Sequence, residues 1–289
     1  MTPSRRVVGY VTALLIAIVA APALLLAERS SVGVARRWTS APPAGPDPLL
    51  LGAGLDDPAK KWIAMKLVSA AENSSLDWRA QFGYIEDIGD GCGYTAGIIG
   101  FCSRTGDMLR LVEAYTAAVP GNALAGYLPA LRRVNGTPSH EGLDPDFPRD
   151  WRTAAADPAF QAAQEAERDR VYFNPAVRDA KADGMRALGQ FAYYDAAVQH
   201  GPTGMRTIRA ATLQRATPPS RGGDEAEWLR AFLDERVAQM KRNRGEQRDT
   251  SRVDGVQRAF LEEGNLALVP PLRFTVYGDP FLIEPGTGP

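Results

Sequence analysis

Two carboxylates stand out by their settings. Glu72 lies in Ser69-Ala70-Ala71-Glu72-Asn73-Ser74-Ser75, where a helical run turns polar. Asp90 lies in the glycine-rich stretch Asp87-Ile88-Gly89-Asp90-Gly91-Cys92-Gly93-Tyr94-Thr95. Alternating glycines let a backbone approach a ligand closely and carry a short side chain at a loop tip. A carboxyl on a helix end facing a carboxylate on a loop suits cleavage of a glycosidic bond. One group gives a proton and the other activates water. The same spacing also describes an ordinary helix end and a common Asp-Gly turn, so residue types alone leave both readings open.

Other chemistries fail on detail. No Gly-Lys-Ser or Gly-Lys-Thr closes the glycine run, as a phosphate loop requires. Asp87 and Asp90 lack the alternating ligand spacing of a calcium loop. There is no Gly-x-Ser-x-Gly elbow. Two cysteines and two histidines are too few for a zinc cluster or an iron–sulfur site. No metal or cofactor is expected.

Three further charges fall on apolar helical stripes. Asp195 lies four residues after Phe191 and seven after Leu188; Arg236 flanks the stripe of Leu229, Phe232, Leu233, Val237 and Met240. Arg252 lies four residues before Val256 and eight before Phe260. An unpaired carboxylate on a buried face would cost several kcal/mol, so Asp195 needs a partner. Either a structural bridge between helices or an ion network orienting a catalytic group satisfies that need. Spacing does not choose.

The elements that must position these residues are mostly helical. Asp57-Pro58 supplies a capping side chain and a first-turn proline. Ile63, Leu67, Val68 and Ala71 follow at helical steps, and the helix is expected to end near Asn73. Residues 78–101 lack that period and carry six glycines among aromatic and β-branched residues, which reads as a short, glycine-broken sheet or loop region. Further helices are expected at 106–118, 123–134, 158–171, 176–199, 224–242 and 251–263. The expected fold is mainly α, with two helical lobes around a cleft and a small glycine-rich β region.

The chain of 289 residues holds 33 basic and 34 acidic side chains, a formal charge of −1, without the basic excess of a nucleic-acid binder. Arg5 and Arg6 precede an uncharged apolar run over 7–27, which reads as an export signal or a retained membrane anchor. Either way the body is expected outside the cytoplasm, touching a membrane only through 7–27 if that segment stays uncleaved. Residues 28–51 are rich in Ala and Pro and read as a linker, leaving 52–289 as one catalytic domain.

Several blocks together resemble the chitosanases of glycoside hydrolase family 46. They include Ala71-Glu72-Asn73-Ser74-Ser75-Leu76-Asp77-Trp78, Tyr84-Ile85-Glu86-Asp87-Ile88-Gly89-Asp90-Gly91 and Thr105-Gly106-Asp107-Met108. Gly189-Gln190-Phe191-Ala192-Tyr193-Tyr194-Asp195, Asp249-Thr250-Ser251-Arg252-Val253-Asp254 and Tyr277-Gly278-Asp279-Pro280 extend the likeness over 53–283. The resemblance implies a lysozyme-like fold (α+β) and endo-hydrolysis of β-1,4-linked glucosamine in chitosan with inversion, by a secreted monomer. By motif match Glu72 is the general acid, Asp90 the general base, and Thr95 helps hold the attacking water. Asp107 grips a glucosamine ammonium group, and Asp195, Arg236 and Arg252 form a network leading to the acid. A general acid must hold its proton at working pH, so Glu72 is expected to be partly buried while Asp90 stays ionised. Tyr84, with Trp78 and Tyr94, offers flat faces for sugar rings or for core packing.

Three departures stand against the pattern. Cys92 replaces an arginine in the catalytic loop, and either pairs with Cys102 or leaves it as a buried free thiol. The segment 200–206 is short, and Met240-Lys241-Arg242-Asn243-Arg244 is basic where an acidic substrate contact belongs. The altered loop keeps two alternatives in view: a hydrolase of another amino-sugar polymer such as peptidoglycan, and a non-catalytic glucosamine-polymer-binding surface protein. From Glu72 to Asp107 six acidic residues face only Arg79 and Arg104, an anionic segment suited to a cationic polymer.

Overall fold

The computed structural model describes residues 52–244, 249–286 and 288. The expected export segment over 1–27 and the linker over 28–51 lie outside the described residues. Helix α1 spans Pro58–Asn73, begun by Asp57, whose carboxylate accepts the N–H groups of Ala59 and Lys60 at 2.9 and 3.2 Å. Its end is set by Ser74, whose left-handed backbone returns its N–H to the Ala70 carbonyl. Glu72 therefore occupies the last turn, as the sequence predicts.

The glycine-rich region is a 3₁₀ turn over Trp78–Gly83 followed by a small antiparallel sheet, β1 (Ile85–Glu86), β2 (Thr95–Ala96) and β3 (Phe101–Cys102). Register pairs Glu86 with Thr95 and Thr95 with Cys102. The Asp90 loop is the connection between β1 and β2. At Gly93, where φ is 71°, an added Cβ would crowd Ser103 Oγ and the Pro138 carbonyl, so only glycine lets the loop close.

Helices α2 (Asp107–Ala118), α3 (Leu128–Val134), α4 (Phe147–Ala154) and α5 (Pro158–Arg168) pack with this sheet. Buried Gln164 of α5 ties them together, donating to the Phe82 carbonyl at 3.0 Å and accepting from Ile98 N–H. A π-helical segment, Asp169–Phe173, leads to the second group of elements: α6 (Asn174–Ala182), α7 (Ala187–Thr212), α8 (Glu225–Arg244), a second π segment (Val253–Arg258), α9 (Ala259–Glu262) and the hairpin β4 (Leu272–Val276)–β5 (Asp279–Ile283). The mainly α fold with small sheets is thus as expected.

Four elements differ from the sequence reading. The expected helix over 176–199 is two helices, broken where Gly184 takes a φ of 85°. Asp183 at the break is buried and held by Arg209, at 2.6 Å from each oxygen, and by the Tyr193 hydroxyl at 2.8 Å. The middle of the 251–263 helix, Val253–Arg258, is π-helical rather than α. Helix α4 and the β4–β5 hairpin carry no sequence expectation, although Leu272, Phe274 and Val276 alternate inward with period two.

Helix α1 is fastened to the second group by Lys60, fully buried, which donates to the carbonyls of Ala267 and Leu268. Close approach also governs the second π segment. A Cβ on Gly255 would overlap the Thr275 carbonyl of β4. Gly255→Ala should cost about 1–3 kcal/mol of stability through that overlap. Thermal unfolding would show a lowered Tm, and an unchanged Tm would contradict the close packing.

Candidate active site

The Glu72 side of the site is built around Asp195 of α7, 1% exposed. Its Oδ1 accepts from Arg252 Nη2 at 2.7 Å and Nε at 3.1 Å; its Oδ2 accepts from Arg236 Nη2 and Gln257 Nε2, both at 2.7 Å. Arg236 Nη1 donates to Gln257 Oε1 at 2.9 Å, and Nη2 to Gln199 Oε1 at 2.8 Å. The remaining arm of Arg252, Nη1, reaches Glu72 Oε1 at 2.5 Å. All three seam charges named from the sequence are thus joined, and they end on Glu72.

Burial by itself would raise the Asp195 carboxyl, but the Arg252 and Arg236 guanidiniums beside it hold it far below the usual carboxylate range. Burial likewise opposes the charge on Arg252; Asp195 and Glu72 outweigh it and keep the guanidinium well above its ordinary value. The Glu72 side chain is 33% exposed, because the helix end places it at the edge of the packed face of α1.

The Asp90 side is a loop. Asp90 is exposed, and its Oδ1 accepts the Cys92 N–H at 3.0 Å. Arg104 N and Ser103 Oγ donate to the Cys92 carbonyl at 3.1 and 3.0 Å. Cys92 and Cys102 are joined as a disulfide, with Cα atoms 5.4 Å apart, which settles the alternative of a free Cys102. Tyr94 stacks on His140 at 4.1 Å, and His140 lies between Asp87 and Asp144. Sequence reasoning missed His140 and Gln257. His140 sits in a polar loop with no periodicity, whereas Gln257 had one clue, lying beside Val256 on the face that Arg252 shares.

The other residues named from the sequence lie on the elements that follow the Asp90 loop or flank it. Thr95 stands on β2, and its Oγ1 is buried without a hydrogen-bond partner among the described residues. Tyr84 is half-buried and donates to Glu86 at 3.4 Å; burial, then the Glu86 and Asp90 charges, push its phenol upward. Trp78 and Tyr94 belong to the core. Asp107 is largely buried at the start of α2, its Oδ1 accepting from Thr105 Oγ1, Cys102 N and Met108 N. Burial raises the Asp107 carboxyl against those hydrogen bonds, and Oδ2 meets only the Tyr172 hydroxyl at 3.4 Å among described residues.

The sequence matches the glycosyl hydrolase family 46 profile over residues 66–272. A chitosanase from Streptomyces sp. (strain N174) is 63% identical over 237 residues, 81% of this chain and 85% of the relative. One from Nocardioides sp. (strain N106) is 57% identical over 91% of this chain and 95% of its own. A co-crystal structure of chitosanase OU01 with substrate superposes with a TM-score of 0.77 at 55% identity, covering 80% of this chain and 99% of that one. Fold and carboxylate-bearing site together define a glycoside hydrolase. Within that class, the chain belongs to glycosyl hydrolase family 46.

Asp195→Asn would leave two buried arginines short of their counter-charge and should cost about 3–5 kcal/mol. The sign of the pH dependence follows from the depressed carboxyl. Its stabilisation is complete above the ordinary value of 3.8 and fades only as pH falls below it. The Tm gap between wild type and Asp195→Asn should therefore stay constant from about pH 5 to 8 and narrow below about pH 4. A gap that narrows near neutrality would contradict the assignment.

Proposed function

We propose that the protein is an exported, monomeric endo-chitosanase that hydrolyses β-1,4 bonds between glucosamine units with inversion. The observation that carries this reading is the chain of contacts from buried Asp195 through Arg252 to Glu72 in a family 46 hydrolase. Glu72 gives its proton to the glycosidic oxygen as the C1–O bond breaks. The carboxylate that forms is met at once by the fixed Arg252 charge, a preorganised stabilisation that water would supply only by reorganising.

On the opposite face of the sugar, Asp90 takes a proton from a water whose oxygen bonds to C1. Thr95 Oγ1 is the buried hydroxyl suited to fix that water. The product then carries the inverted anomer. Asp107 Oδ2, the oxygen with the fewest protein contacts, is the atom that meets a glucosamine ammonium, and such a cation favours the charged carboxylate. Tyr84 offers a half-exposed ring beside Asp90 for a sugar face. The disulfide supports export, since such bonds persist in oxidising compartments.

Purified enzyme should release reducing ends from chitosan. Glu72→Gln and Asp90→Asn should each lower kcat by about 100- to 10,000-fold, the usual range for general acid–base groups. Proton NMR should show the α-anomer as the initial product. An inert wild type would sink the substrate assignment, and an initial β-anomer would remove Asp90 from the water-activating role.

A further inference from the structure

Cys102 occupies an unusual junction. Across the sheet it pairs with Thr95, and its backbone N–H is held by Asp107 Oδ1 at 3.1 Å. Its sulfur is bonded to Cys92, whose own N–H is accepted by Asp90 Oδ1 at 3.0 Å. A single covalent bridge therefore connects the backbone groups that orient three separately assigned side chains.

Hydrogen bonds also cross between these segments: Ser103 Oγ and Arg104 N hold the Cys92 carbonyl, and Ser103 exchanges bonds with the Tyr94 N–H and carbonyl. They hold the chain from the Cys92 carbonyl onward, whereas the N–H that meets Asp90 belongs to the preceding peptide plane. The Tyr94–His140 stack holds the loop beyond it. On the Asp90 side, exposed Arg104 Nη1 reaches the Gly91 carbonyl at 3.3 Å, and Gly89 and Gly91 both take positive φ, where the chain has most freedom. The peptide plane between Gly91 and Cys92 aims the N–H at Asp90. The disulfide anchors that plane from the Cys92 side chain.

We propose that the Cys92–Cys102 disulfide is a positioning element for catalysis, fixing the Asp90 carboxylate relative to Thr95 rather than stabilising the fold at large. The inference rests on the reading of Asp90 as the general base. Opening the bridge should disturb kcat more than KM. Asp107 and Cys102 stay fixed by β3 and the start of α2, whereas a base displaced by about 1 Å can lose up to about a hundredfold in rate.

The test compares wild type and Asp90→Asn, each oxidised and each reduced by a water-soluble phosphine. In that reaction the phosphine takes oxygen from water to become its oxide, and the disulfide gains two electrons and two protons as two thiols. Thiol counting confirms completion, near-ultraviolet circular dichroism confirms folding, and Cys92→Ser/Cys102→Ser is assayed in parallel. Reduction should lower the wild-type kcat on chitosan about tenfold, leave KM within about twofold and leave the residual Asp90→Asn rate unchanged. The double serine variant should match the reduced wild type.

Wild-type kcat within twofold after reduction would overturn the proposal while leaving the base assignment intact. A tenfold fall in the Asp90→Asn rate as well would also overturn it, because the effect would not pass through Asp90. High activity of oxidised Asp90→Asn would instead remove the base assignment. Loss of the folded signal in both reduced enzyme and serine variant would assign the bond a global structural role and overturn the proposal.

Discussion

A single buried carboxylate, Asp195, sets the terms for the catalytic half of this molecule. Sealed within the helices, it must be paired or protonated, because an unpaired charge there would be heavily penalised by desolvation. Two arginines and a glutamine meet its oxygens, and each arginine then has an arm left over. The spare arm of Arg252 is what the site uses. A requirement of the core thus becomes a fixed positive charge that meets Glu72 at the end of α1.

The two halves of the site are secured by different means. On the Glu72 side, long-range ion pairs join α7, α8 and Arg252, just before the second π segment, and fix one buried guanidinium. Such pairs weaken little with salt, because buried charges are poorly screened. On the Asp90 side the loop is exposed, so local hydrogen bonds, a ring stack and a covalent bridge supply order instead. One carboxylate thus rests against a buried ion network and the other on an exposed, cross-linked loop.

Much of this was legible in the sequence, and the reasons are specific. Asp57-Pro58 and the polar run after Ala71 bound α1 and so placed Glu72, because caps act locally. Asp195 and Arg252 announced themselves by breaking apolar stripes. The roles of Thr95 and Asp107 came only through family likeness, since a threonine in a strand and an aspartate at a helix start are ordinary by themselves. Gln257 stayed hidden because a glutamine is tolerated on any helical face. Helix α4 was obscured by Pro148 and four charged neighbours between 146 and 152, although Phe147 and Trp151 share one buried face. The break at Gly184 was missed because the apolar spacing continues across it.

The contacts that hold Glu72 and α1 span most of the polypeptide. Glu72 meets Arg252 across 180 residues, and Lys60 meets Leu268 across 208. A ribosome therefore produces the Glu72 carboxyl early and its paired cation late. A nascent chain cannot assemble that ion pair until nearly the whole body has emerged. A fragment ending before residue 252 would keep Glu72, Asp90 and Asp107 without the cation that organises the first of them. Under the proposed mechanism, termination before residue 252 thus leaves all three carboxylates, which lie in the first half of the chain, without the cation paired to Glu72.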